Sequence, residues 1–112
     1  MKIYHNPRCS KSRQTLQLIH DSGKKIEIIE YLNEPPTVEE LKSIIKLLGI
    51  TPEQLLRKNE SIFKEQFKGK IYSDNEWIQI MIEHPKLIER PIVIVGKKAV
   101  LGRPPENVLE LL

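Results

Sequence analysis

Apolar and polar positions alternate between two periods along this chain, and the switches between them mark its elements. The run Lys2-Ile3-Tyr4 is short and apolar enough for a first strand over residues 2–5. Leu16, Leu18 and Ile19 then recur among polar residues at helical spacing, which predicts a helix over 11–22, with Ser10 as its cap and Gly23 as its stop. Ile26-Glu27-Ile28-Ile29-Glu30-Tyr31-Leu32 reads as a second strand, parallel to the first because a helix joins them. Asn33-Glu34-Pro35-Pro36 breaks the pattern.

From there the period is helical. Thr37 and Glu40 have capping-box spacing ahead of Leu41, Ile44, Ile45, Leu47 and Leu48, and Gly49 ends that helix. Thr51-Pro52-Glu53-Gln54 repeats the device with proline at the first helical position. Further helical segments are expected over 61–67 and from Ser73 through the apolar residues Trp77, Ile78, Ile80, Met81 and Ile82. Residues 37–88 therefore read as a helical insertion between two groups of strands. The β pattern returns in Arg90-Pro91-Ile92-Val93-Ile94-Val95, turns at Gly96-Lys97-Lys98 and continues in Ala99-Val100-Leu101. A last helix is expected over 106–112, after Gly102-Arg103-Pro104-Pro105.

The order is β-α-β, helices, β-β-α, an α/β fold with a mixed sheet. It resembles a thioredoxin-like core carrying a helical insertion, within one domain spanning residues 1–112. In that fold the reactive cysteine stands at the start of the first helix. An X-Pro pair, usually cis and facing the cysteine, precedes the third strand. Cys9 and Arg90-Pro91 occupy those two places.

Composition narrows the function. Of 112 residues, 39% are hydrophobic and 29% charged, as in a soluble globular chain long enough for its own core. The net charge of +3 is interspersed and aromatics are only 5%, which argues against a nucleic-acid platform, while a basic balance suits small anions. No apolar stretch approaches the length of a membrane span, and charged residues interrupt any signal-peptide core, so neither membrane nor nucleic acid is an expected partner. One cysteine cannot form an internal disulfide, and a lone reactive thiol fits the reducing cytoplasm.

The chemistry gathers at His5-Asn6-Pro7-Arg8-Cys9-Ser10-Lys11-Ser12-Arg13. Most free cysteines are small buried apolar residues. Here the surroundings are polar and basic. A helix N-terminus offers free backbone N–H groups and partial positive charge, and Arg8, Lys11 and Arg13 add cations. Both favour the thiolate, which is the nucleophilic form. His5 is either a donor or partial cation beside Cys9 or the polar end of the first strand. His20 and His84 read as helix-surface or helix-end residues. No ligand pair has zinc spacing, so no metal is expected.

Taken together, several segments resemble the glutaredoxin-coupled arsenate reductase family, the ArsC type, over essentially the whole chain. They are Tyr4-His5-Asn6-Pro7-Arg8-Cys9, Ser12-Arg13, Tyr31-Leu32 with Pro35-Pro36, Leu55-Leu56-Arg57-Lys58, His84-Pro85, Glu89-Arg90-Pro91-Ile92-Val93 and Gly102-Arg103-Pro104. The resemblance implies that Cys9 attacks the arsenic of arsenate and that Arg57, Arg90 and Arg103 bind the oxyanion. It implies that His5 and Ser12 stabilise the thiolate. Glutathione and glutaredoxin would reduce the adduct and release arsenite, with no bound cofactor and glutathione as the external reductant. A monomer is expected. Guanidinium groups suit a tetrahedral anion through fixed, bidentate donors. Each arginine also has a structural alternative: Arg57 as a solvated helix charge, Arg90 in an ion pair near Glu89, Arg103 as a helix-end cap.

Two departures qualify the resemblance. Serine stands in the second-cysteine place of Cys9-Ser10-Lys11-Ser12, so a resolving thiol must come from outside. The chain ends at Leu112, short of the tail on longer members, and so resembles the shorter branch. The rival from another class is the Spx group, regulators of this fold that bind RNA polymerase. They commonly carry Cys-x-x-Cys and lack a segment like that at Arg103, and both differences count against them. A reductase of another small, glutathione-linked substrate is the third reading.

Overall fold

Four strands in the order β2-β1-β3-β4 form one mixed sheet in the computed structural model, which describes residues 1–112. β1 (Lys2–Tyr4) runs parallel to β2 (Glu27–Ile29) and antiparallel to β3 (Ile92–Val95). β3 and β4 (Lys98–Leu101) make a hairpin that turns at Gly96, whose φ of 57° is the left-handed value a glycine takes without a Cβ penalty. α1 (Ser10–Asp21) supplies the crossover between β1 and β2. A 3-10 segment, Pro105–Leu111, closes the chain where an α-helix was expected.

The chain divides into two compact units, Met1–Glu34 with Arg90–Leu112, and Pro35–Glu89. In the first, Ile3, Ile19, Val93 and Val108 are completely buried. They come from β1, α1, β3 and the closing 3-10 segment, and Leu16, Val100 and Leu111 pack against them. Burying each such side chain is worth about 1.5–3 kcal/mol, so this cluster is what presses α1 onto the sheet.

The second unit holds α2 (Val38–Leu48), a 3-10 turn (Pro52–Leu55), α3 (Ser61–Gln66), α4 (Asp74–Glu83) and a second 3-10 turn (Pro85–Leu87). Leu41, Ile44, Phe63, Trp77, Met81 and Leu87 are buried in it. Trp77 meets Tyr72 edge-on with ring centroids 4.8 Å apart. Its helix starts follow the sequence closely. Thr37 with Glu40, Thr51 with Gln54 and Ser73 with Glu76 all form complete capping boxes, and Gly49 ends α2 in the left-handed conformation.

Two elements are shorter than their patterns. β2 stops at Ile29 although the β pattern runs on to Leu32. Its only ladder partner is β1, whose pairing ends at Tyr4, and past that point Glu30 accepts turn hydrogen bonds from the N–H groups of Asn33 and Glu34. Thr51-Pro52-Glu53-Gln54 makes a 3-10 turn rather than an α-helix, because the chain is extended again at Leu56, which bridges to Ile88.

Candidate active site

The loop from His5 to Cys9 is tied down by its own polar groups. Asn6 does most of this. Its Oδ1 accepts from the Arg8 N–H at 3.0 Å, its carbonyl accepts from the Cys9 N–H at 3.0 Å, and its N–H donates to Ser12 Oγ at 3.1 Å. Arg13 reaches back to give its Nη1–H to the Pro7 carbonyl at 2.9 Å. An Asn-Pro turn is a legible sequence signal. The cross-link to Ser12 was not, because it depends on how the helix enters.

Cys9, not Ser10, is the N-cap of α1. Its backbone is extended (φ −94°, ψ 122°), and no side chain caps the helix there. The first-turn N–H groups are therefore open toward the sulfur. Cys9 is half-buried and free. Burial pushes its thiol up, but the Ser12 N–H, the Arg90 guanidinium through both hydrogen bond and charge, and the Lys11 N–H outweigh it and hold the thiol below its ordinary range. The expected cations Arg8, Lys11 and Arg13 do not supply that effect. All three side chains are exposed, and Arg13 is turned to Pro7. The charge that matters arrives from Arg90, 81 positions along the chain (90 − 9).

His5 is buried, with Nδ1 and Ser12 Oγ 2.6 Å apart, one hydrogen bond whose direction follows the ring tautomer. Desolvation lowers its pKa; Glu30 raises it and Arg13 lowers it, and the net shift is downward. The lowered pKa counts against the partial-cation reading of His5 and favours the neutral ring. Ser12, fully buried, serves twice, with its hydroxyl on His5 and Asn6 and its N–H toward Cys9.

The Arg90–Pro91 peptide is cis, and so is Arg103–Pro104, which the sequence reading did not single out. Arg103 is exposed and gives its Nη1–H to the Arg90 carbonyl at 3.4 Å, so the two arginine segments lie side by side within the first unit. Arg57 belongs to the second unit. Its Nε donates to Glu60 at 3.2 Å, its Nη1 lies 3.7 Å from Glu89, and its backbone N–H donates to the Leu87 carbonyl at 2.8 Å. His84 packs beside Phe67, with ring centroids 5.6 Å apart. No group of three His, Cys, Asp or Glu side chains is arranged to hold a metal ion, and no helix is long and apolar enough to cross a membrane.

Comparison with known proteins follows the same lines. The ArsC family model matches residues 4–111. Uncharacterized protein YfgD of Escherichia coli (strain K12) is 45% identical over 100% of this chain and 96% of its own length. The arsenate reductase of Haemophilus influenzae (strain ATCC 51907 / DSM 11121 / KW20 / Rd) is 47% identical over 98% of this chain and 97% of its own. The solved arsenate reductase of Vibrio cholerae superposes with a TM-score of 0.94 at 47% identity, covering 100% of this chain and 98% of that one. A thiol-bearing helix start on a mixed thioredoxin-like sheet, matched at this identity over its full span, settles the family: the chain belongs to the ArsC family.

Proposed function

We propose that this protein is an arsenate reductase whose nucleophile is Cys9. The observation that carries the reading is the convergence of the Lys11 and Ser12 N–H groups and the Arg90 guanidinium on one free sulfur. Relatives of nearly the same length that are named arsenate reductase support the substrate. In this reading the Cys9 thiolate attacks arsenic, an As–O bond breaks, and that oxygen leaves as water after protonation. The oxyanion's charge is met by Arg90 and Arg103, with Arg57 as the third candidate. Reduction from As(V) to As(III) needs two electrons, and one thiol cannot close a disulfide alone. Glutathione and glutaredoxin supply the second thiol. Net, arsenate and two thiol equivalents give arsenite, a disulfide and water, and further thiol regenerates Cys9. This chemistry belongs in a reducing compartment such as the cytoplasm.

The test is arsenate-dependent NADPH oxidation with glutathione, glutathione reductase and glutaredoxin present. Turnover that disappears when the thiols are withheld, with a glutathione adduct on Cys9 when only glutaredoxin is omitted, is the expected result. Turnover that persists without any added thiol, or none with the full system, overturns the reading. Arg103→Ala should weaken anion binding or rate about ten- to a hundredfold, the range of one charge-assisted hydrogen bond, with Arg103→Lys restoring only part. Both should leave the melting temperature nearly unmoved, because an exposed arginine adds little stability.

A further inference from the structure

We propose that Thr15 and Gly102 are positioning residues that hold the first turn of α1 in register with the loop carrying Arg90, Pro91 and Arg103, so that the Lys11 and Ser12 N–H groups and the Arg90 guanidinium meet at the Cys9 sulfur.

Thr15 lies inside α1, one turn beyond Lys11, and has no solvent exposure. Its hydroxyl sits 2.9 Å from the Lys11 carbonyl and 3.4 Å from the Gly102 carbonyl. The single hydroxyl proton thus lies between the turn that presents N–H groups to the sulfur and a loop 87 positions away. Gly102 donates its own N–H to the Pro91 carbonyl at 2.9 Å, and the next residue, Arg103, donates to the Arg90 carbonyl. Three chain segments therefore interlock at one point.

The glycine is required there by space rather than by backbone angle. Gly102 lies outside the left-handed region occupied by the chain's other glycines. A Cβ built on it would run into Thr15 Oγ1 and stand 2.7 Å from Pro91 Cγ and 3.0 Å from Thr15 Cγ2. Those are side chains of the two elements that frame Cys9. Pro91 is fully buried and a ring has little freedom, so any side chain at 102 must displace α1, the Pro91 loop or both. Either displacement separates Arg90 from the helix start. Neither Thr15 nor Gly102 touches the sulfur, so their effect passes through Lys11, Ser12 and Arg90.

This inference concerns the thiol of the reductase proposed above, and its test needs no arsenate, so the two can fail separately. The pH dependence of Cys9 alkylation by iodoacetamide is measured for the wild type, Thr15→Val, Thr15→Ser and Gly102→Ala. Valine keeps the shape of threonine without the hydroxyl, and serine keeps the hydroxyl. Thr15→Val should move the inflection to higher pH and slow alkylation at neutral pH about two- to tenfold, the range of one hydrogen bond. Thr15→Ser should keep the wild-type inflection, and Gly102→Ala should shift it in the same direction as valine. A mere packing role lowers the melting temperature but leaves the inflection where it is, and that result for Thr15→Val overturns the proposal. Equal shifts in the valine and serine variants overturn it as well, since the hydroxyl is then not the cause. Should Thr15→Val fail to fold, Gly102→Ala decides: an inflection at the wild-type pH rejects the pair.

Discussion

The start of α1 and three of the helix starts in the insertion solve the same problem in opposite ways. Thr37, Thr51 and Ser73 each accept from the residue three positions on, and Glu40, Gln54 and Glu76 answer by accepting from the cap backbone. Each box satisfies two orphan donors internally. Cys9 occupies the equivalent position on α1 and offers no side-chain cap, and no acidic residue stands in the first turn. The N–H groups left over are those that lower the Cys9 thiol's pKa. In the insertion the six-residue α3 starts without a side-chain cap, but each of the longer helices, α2 and α4, closes its N-terminus. A helix that has to hold a thiolate or an oxyanion keeps it open, and gives up roughly 0.5–2 kcal/mol of capping to do so.

The sharpest way to break this contrast is to cap α1. Cys9→Asp should abolish thiol-dependent turnover altogether, yet raise the melting temperature, because aspartate is a strong N-cap and an anion at a helix N-terminus. Activity and thermal unfolding of that one variant check both halves. A loss of stability would show that the open start costs nothing.

Next in size is Arg90→Gln. Removing the guanidinium leaves the two N–H groups in place, so the thiol should become less acidic and alkylation at neutral pH should slow about tenfold or more. A thiol inflection equal to the wild-type value would mean that the helix start alone holds the thiolate.

On the capped side, Thr37→Ala should cost about 1 kcal/mol of stability in urea unfolding, with the Cys9 inflection unmoved. A shift in that inflection would show that the two kinds of helix start are not independent.

The smallest effect concerns His5. A lowered pKa in the fold means that the unfolded chain binds more protons between that value and the ordinary histidine value near ~6.5. The stability linked to His5 is therefore fully present above about pH 6.5 and is lost as pH falls through the lowered pKa. Urea midpoints should drop more steeply on acidification for the wild type than for His5→Asn. Parallel curves would show that His5 is not held neutral by the fold.

Much of this was legible in the sequence because it is local. Capping boxes span three residues, Gly49 marks its own helix end, and the strand-to-helix step at Cys9 follows from adjacent periodicities. Where local signals were counted as if they were tertiary, they misled. Arg8, Lys11 and Arg13 are neighbours of Cys9 along the chain, but their exposed side chains spread into solvent, while Arg90 reaches the sulfur. Sequence distance orders cations poorly, since Coulomb attraction follows separation and screening in space. The downward shift of the His5 pKa needed burial, which no single-residue reading supplies.

By itself, then, the sequence determined the element order, the three capping boxes of the insertion, the place of Cys9 at a helix start and the family motifs along the chain. Tertiary structure decided where β2 stops, because a strand lasts only as long as its partner. It decided that Arg57 is paired with Glu60 and Glu89, and that Arg90 meets the thiol. It alone exposed Thr15 and Gly102, an ordinary helix threonine and an ordinary loop glycine until the chain brings them together. Hydrogen bonds and close packing act over a few ångströms, and only the folded chain places residues 15, 91 and 102 within that range.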